Sequence, residues 1–211
     1  MPRKSQWIVL LIFSYLYYIA GGPRYVVFIL FSTLVTWLMA LLIEKAEGKE
    51  NHKGARKLLI LGLILNFGML GIVKYTNFAV ENINALLHLN LRGIQLLLPL
   101  GISFYTFQSS GYLLDVYWKR CKAERHPLKY ALFVSFFPQI LQGPIGRYSR
   151  LADQLYAEHR FEGNNIIRGF ERILWGFFKK MILADWAAVF ADAIFEDPAK
   201  YNGVALLGVL F

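Results

Sequence analysis

A single cysteine, Cys121, in 211 residues excludes an internal disulfide and any cysteine-based metal cluster. Charge is scarce as well: Asp, Glu, Lys and Arg make up 18% of the chain, where soluble domains carry about 25%. Acidic residues are the scarcer kind, 14 against 23 Lys and Arg, which leaves a net charge of +9. His52, His88, His126 and His159 all stand in polar segments or at their edges, and no two have the H-x-x-x-H spacing of a helical metal site. There is no G-x-S-x-G elbow, no P-loop and no dinucleotide-binding glycine pattern. These absences remove zinc hydrolases, serine hydrolases of the elbow type and nucleotide-fold enzymes.

In their place stand 56% hydrophobic residues, with aromatics making up 16% of the chain, and a mean hydropathy of +0.41. That composition belongs to the membrane class. The basic residues are not spread as a nucleic-acid face would be. Five lie within 45–57, five within 119–129 and five within 147–172, each cluster beside a long apolar run. Cytoplasmic loops of membrane proteins carry this excess, and it also attracts anionic headgroups. Nucleic acid is therefore not an expected partner; a lipid bilayer is.

Along the chain, 7–20 is a short apolar run that Gly21-Gly22-Pro23-Arg24 breaks. No A-x-A cleavage pattern follows, and a second apolar run begins at once, which argues against a cleaved leader. Residues 25–43 hold 19 positions without a formal charge, roughly 28 Å of helix against a hydrocarbon core of about 30 Å. The stretch 44–57 reads as a solvated loop. The run 58–73 contains Asn66 and three glycines suited to close helix packing. Lys74 and Tyr75 are expected to end it at an interface, with 76–93 as an external loop.

The run 94–118 is long enough to span, yet Pro99 and Gly101 should break it. Thr106, Gln108, Ser109, Ser110 and Asp115 then put polar groups where lipid would penalise them, so they should face a bundle interior or a wet cavity. Residues 130–146 are too short and too broken by Pro138 and Gly143-Pro144 to cross, and both flanking loops are basic. A re-entrant segment fits, and such backbone is tolerated only when buried in protein or lining a cavity. Residues 164–195 read as one helix interrupted by charges, whose Lys179-Lys180 pair would snorkel or whose first half would lie along the surface. The run 203–211 is apolar to its last residue, so the chain reads as stopping within a membrane helix.

Each chemical candidate has a plain and a sharp reading. Asp115 forms a helix-end ion pair with Lys119, four residues on, or it contributes a polar contact in a central cavity. Gln139 and Gln142 donate to a substrate carbonyl or satisfy the broken backbone around them. Arg147 anchors to headgroups or clamps substrate. Cys121 sits among Lys119, Arg120 and Lys122, which should favour its thiolate and conceivably juxtamembrane acylation, although an inert loop cysteine is the plainer reading. Broken apolar segments with polar midsections also occur in transporters and flippases, or in a non-catalytic membrane scaffold; no paired, repeated broken segment of the transporter kind is visible.

Three ordered blocks carry a resemblance. The first is Leu98-Pro99-Leu100-Gly101-Ile102-Ser103-Phe104-Tyr105-Thr106-Phe107-Gln108, followed by Tyr112-Leu113-Leu114-Asp115-Val116-Tyr117. The second is Ser135-Phe136-Phe137-Pro138-Gln139 with Gly143-Pro144-Ile145 and Arg147-Tyr148. The third is Phe177-Phe178-Lys179-Lys180 with Ala184-Asp185. From about residue 7 to 200 the chain resembles the membrane-bound O-acyltransferase family, most closely its bacterial alginate O-acetyltransferase-like branch.

The resemblance implies an all-α, polytopic transmembrane helical bundle with a central funnel and a re-entrant segment, in the cell membrane. A cytoplasmic acyl donor such as acetyl-CoA or an acyl-carrier protein would deliver an acetyl group toward hydroxyls of an extracytoplasmic polysaccharide or cell-envelope polymer. An acyl-accepting partner protein outside the membrane is also implied, and no bound cofactor or metal. Gln108, Asp115, Gln139, Gln142 and Arg147 become expected funnel or donor contacts. The family's members usually begin with one more helix, where this chain has Met1-Pro2-Arg3-Lys4. Their histidine base lies in a downstream Trp-His segment to which no residue here corresponds. The expectation is an N-terminal portion of one membrane-embedded domain, 1–211, inactive by itself.

Overall fold

The computed structural model of the chain describes residues 5–87, 99–140 and 145–196. Helix accounts for 82% of these, and no strand occurs among the described residues. The chain forms two compact units, Met1–His159 and Arg160–Phe211.

In the first unit, α1 (Gln6–Ala20) ends at Gly21. Gly22 takes a φ of 142°, which a side chain would oppose, and Pro23–Tyr25 forms one 3-10 turn into α2 (Val26–Glu47). The expected loop over 44–57 shrinks to four residues, because α2 runs to Glu47 and α3 (His52–Leu87) starts again at once. Asn51 caps α3: its Oδ1 accepts from the Gly54 amide at 2.9 Å and its carbonyl from the Ala55 amide at 3.0 Å. Both helices are long and apolar enough to cross a membrane.

The end expected at Lys74 and Tyr75 is not there. α3 continues to Leu87, 36 residues in all, about 54 Å at the helical rise. No proline or glycine stands between Lys74 and Leu87 to stop it, and Thr76 and Asn82 fold their side chains back onto the Ile72 and Phe78 carbonyls. Of the three glycines in 58–73, only Gly62 sits at a helix crossing, where a Cβ would meet Leu113 and Met39. Gly68 and Gly71 face open space.

Buried between α2 and α3, Asn66 acts as polar glue. Its Oδ1 accepts from the Ser32 hydroxyl at 2.6 Å, and its Nδ2 donates to Thr36 Oγ1 and the Gly62 carbonyl at 3.0 Å each. The third wall is α4 (Ile102–Tyr117), which begins where Pro99 and Gly101 were expected to break the run. Gly101 has φ 67°, and any Cβ there would run into the Ile140 carbonyl, so this turn requires glycine. The core gathers Ile29, Ile43, Leu113, Tyr105 and Tyr112 along this three-helix contact.

The fourth element of the core is short. α5 (Pro127–Ser135) has nine residues, about 14 Å, and six consecutive side chains from Tyr130 to Ser135 are all buried. The chain then turns through Phe137–Ile140 and resumes as α6 (Tyr148–Tyr156). The second unit comprises α7 (Gly163–Phe178), a π-helical turn over Lys179–Ala184 and α8 (Asp185–Glu196). The single helix expected over 164–195 is thus present with a π-bulge at its Lys179-Lys180 pair. There Lys180 reaches Asp185 at 2.9 Å, and Lys179 lies over the Trp175 ring.

Candidate functional site

The loop between α4 and α5 decides where the polar side chains go. α4 closes in a Schellman arrangement: the Arg120 amide donates to the Asp115 carbonyl at 2.8 Å and the Lys119 amide to the Val116 carbonyl at 3.0 Å. Lys119 supplies the left-handed residue of that motif, with φ 58°. The turn swings its side chain away from Asp115 and onto Glu47, at 3.1 Å. The ion pair between Asp115 and Lys119 therefore does not form. Asp115 instead has Arg120 as a distant partner, Oδ1 to Nη1 at 3.7 Å.

The rest of the loop is tied down from three sides. The Trp37 indole donates to the Glu124 carbonyl at 2.8 Å, the Ala123 amide to Glu44 Oε1 at 3.2 Å, and Arg125 pairs with Glu44. Glu124 joins the helices: its amide donates to the Tyr112 hydroxyl at 2.8 Å, and its Oε2 accepts from the Tyr148 hydroxyl at 2.6 Å. Tyr112 and Tyr148 pack with centroids 4.7 Å apart, and Phe133 closes edge-on against Tyr148 at 5.0 Å. Burial pushes the Tyr148 phenol well above its usual range, so it donates to Glu124 as a neutral group throughout physiological pH.

Above this aromatic floor lies a cavity of about 230 Å³ whose walls include Gln108, Tyr112, Asp115, Trp118, Arg120 and Arg147. Three of the five expected contacts, Gln108, Asp115 and Arg147, thus share one space. Gln108 and Asp115 are each 8% exposed, although they stand on a helix that reads as apolar. Gln108 donates its amide to the Phe133 carbonyl at 3.0 Å, near the end of α5, which fixes the carboxamide plane. Gln139 stands beside the cavity rather than in it: its Oε1 lies over Gly146, buried and without a hydrogen-bond partner among the described residues. Gln142 lies outside the described residues.

Arg120 and Trp118 are the members that sequence reasoning did not assign to the site. The Arg120 guanidinium lies over the Trp118 ring at 4.6 Å. In the sequence Arg120 is indistinguishable from its neighbours in the basic loop; only the Schellman turn selects it.

Cys121 departs from expectation. Its thiol is pushed up to about 11, first by burial and then by the carboxylates of Asp115 and Glu44, so the adjacent basic side chains do not produce a thiolate. The described histidines are exposed and engage neighbours: His52 pairs with Glu47, the His126 ring packs against Trp7, and the His159 ring meets the Gln154 carbonyl. His88 lies outside the described residues. No cluster of metal-ligating side chains occurs among the described residues.

No family-level sequence model and no solved structure matches the chain. Curated relatives do. A probable alginate O-acetylase AlgI of Pseudomonas syringae pv. tomato is 35% identical over 99% of this chain and 40% of its own length. The protein of the same name in Pseudomonas aeruginosa is 34% identical, again over 99% and 40%. A peptidoglycan O-acetyltransferase of Helicobacter pylori is 33% identical over 93% of this chain and 41% of its own length. The chain spans about two-fifths of the length of the curated relatives it matches. Across nearly all of its residues the chain is homologous to these O-acetylases.

Proposed function

We propose that this chain is part of an integral-membrane O-acyltransferase that moves an acetyl group toward hydroxyls of an extracytoplasmic polysaccharide or cell-envelope polymer. The observation that carries the proposal is homology over 99% of the chain to proteins named alginate O-acetylase. The donor is a cytoplasmic thioester, acetyl-CoA or an acylated carrier protein, and an acyl-accepting partner outside the membrane completes the path. The relatives are named as O-acetylases rather than transporters, so the transporter reading is not carried further.

On this reading the protein is a multi-pass bundle of the inner cell membrane, with α2 and α3 as crossing helices. The basic loops place the α4–α5 turn on the cytoplasmic side. α5 is re-entrant: its length is about half that of a crossing helix, and its side chains from Tyr130 to Ser135 are buried in protein, as a segment that does not cross requires at membrane depth. The cavity of Gln108, Asp115 and Arg147 then lies at the donor's approach, where fixed amide and guanidinium groups orient a thioester carbonyl and its carrier.

The test replaces Gln108, Asp115, Gln139, Gln142 and Arg147 one at a time in the protein expressed from its own gene in its native membrane. The readout is ester-linked acetate released from the envelope polymer by mild alkali. Acetate should fall while the amount of protein in the membrane stays constant. Unchanged acetate in all five variants removes the assignment of these residues, and acetate unchanged on deletion of the gene removes the function.

A further inference from the structure

Resting on the acyl-transfer reading, we propose that Arg120 and Arg147 form a clamp for an anionic phosphate group, of the kind a thioester donor carries on its pantetheine arm, with Asp115 as the counter-ion that the phosphate displaces. The two guanidiniums line the same cavity, and Asp115 is the acidic residue among its lining side chains. One carboxylate against two guanidiniums leaves a formal surplus of one positive charge in a cavity that opens to the surface at Arg120 and Arg147.

The existing partnerships are incomplete in the way a binding site requires. Arg147 makes no ion pair and no side-chain hydrogen bond among the described residues. Arg120 touches Asp115 only at 3.7 Å, longer than the ordinary charge-assisted contact. The Asp115 side chain is 11% exposed, and burying a carboxylate to that degree against so distant a partner is costly unless the arrangement tightens in another state.

The Arg120 guanidinium lies over the Trp118 ring, 4.6 Å from its centroid. Arg147 is the N-cap of α6, and its carbonyl accepts from the Arg150 and Leu151 amides at 3.1 Å each. Its neighbour Tyr148 is locked on Glu124 at 2.6 Å. The N-terminal end of α6 adds its own partial positive charge to the same wall. The volume, about 230 Å³, is many times the room of about 10–15 Å³ that one water needs, enough for a phosphate and the first atoms attached to it.

The same chemistry would also take a phospholipid headgroup, and the experiment separates the two sources. The protein is placed in phosphatidylcholine nanodiscs, and the probes are 4′-phosphopantetheine and pantetheine, which differ only in the phosphate. The readout is the fluorescence change lost in Trp118→Phe, because an anion that engages Arg120 alters its stacking on that ring. Phosphopantetheine should bind at least about tenfold more tightly than pantetheine, the scale of one charge-assisted pair. Arg120→Gln and Arg147→Gln should each remove most of that ratio. Asp115→Asn should tighten phosphopantetheine a few-fold, a gain that a purely structural Asp115 would not give. Arg120→Lys, which keeps the charge and loses the fork, should recover part of the ratio.

Equal binding of the two probes, or a ratio indifferent to both arginine substitutions, overturns the clamp while leaving the donor reading intact. If neither probe binds but phosphatidylglycerol nanodiscs produce the Arg-dependent signal, the phosphate clamp holds with a lipid headgroup as its ligand, and the donor assignment at this cavity fails. No signal from either probe or from phosphatidylglycerol overturns the clamp outright.

Discussion

Helices α4 and α7 have the same length, sixteen residues, and opposite surroundings. α4 buries ten of its side chains, including Thr106, Gln108, Ser109, Ser110 and Asp115; α7 buries none. By pattern alone the ranking would reverse. α7 divides cleanly, with Ile166, Ile167, Phe170, Ile173, Leu174 and Phe177 on one side and Arg168, Glu171 and Arg172 on the other, whereas the polar residues of α4 break up its apolar surface. Burial is set by what converges on a helix. α2, α3 and α5 all pack on α4 and satisfy part of what it carries: Gln108 reaches the Phe133 carbonyl and Ser109 accepts from Tyr130, whereas the Thr106 and Ser110 hydroxyls are buried without a partner among the described residues. An exposed apolar face such as that of α7 marks a surface for lipid or for protein rather than a core.

The sharpest way to break this contrast is at the start of α4. Gly101→Val imposes a β-branched side chain on a left-handed φ and drives a Cβ into the Ile140 carbonyl, two faults in one position. The cost should exceed about 3 kcal/mol, seen as loss of a monodisperse peak and of the cooperative thermal transition in detergent. A melt close to that of the parent would mean that α4 is not held by this turn. Leu113→Ala comes next. The side chain is fully buried against Gly62 of α3, and deleting it should cost about 2–4 kcal/mol, read as a lower unfolding midpoint by circular dichroism.

What could be read from the sequence follows the same division between local and convergent causes. The break at Gly21-Gly22-Pro23, the apolar α2 and the start of α4 after Pro99 and Gly101 depend on residues within one turn of the feature, and the sequence shows them plainly. The site was half legible. Gln108 and Asp115 announce themselves as polar groups in an apolar run, and Arg147 as a cation beside a break. Arg120 does not, because its selection from a basic loop depends on Lys119 adopting a left-handed φ. Of the two readings of Asp115, the ion pair with Lys119 fails for the same reason: the spacing of four assumes that the helix continues through Lys119. α3 runs past its expected end because the rise in polarity after Lys74 does not by itself stop a helix, and no proline or glycine stands there to do so.

Cys121 tests that distinction chemically. Local sequence places it among cations; the fold puts it beside Asp115 and Glu44 and half-buries it, with its thiol pushed up to about 11. A raised value means less thiolate at every pH below it, so alkylation by iodoacetamide at pH 7.5 should be slower than for an unfolded cysteine titrating near 8.5 by roughly two orders of magnitude. The rate should climb about tenfold per pH unit through pH 10. An inflection near 8 instead would mean that the basic loop, not the buried carboxylates, sets the environment. Asp115→Asn should speed the reaction at fixed pH, since it removes one of the charges opposing the thiolate.

The smallest effect belongs to α7. Leu174→Ala removes as many methyl groups as Leu113→Ala, but from a side chain that is 54% exposed. Exposed substitutions away from caps and turns fall within about 0.5 kcal/mol, and alanine is the better helix former. The unfolding midpoint in detergent should therefore barely move, whereas its α4 counterpart falls by several degrees. The pair is informative because the two substitutions are chemically identical, on helices of identical length. A loss for Leu174→Ala that approached the Leu113→Ala value would show that the apolar face of α7 is covered in the assembled protein, and the contrast between the two helices would then reduce to the order in which each finds its neighbours.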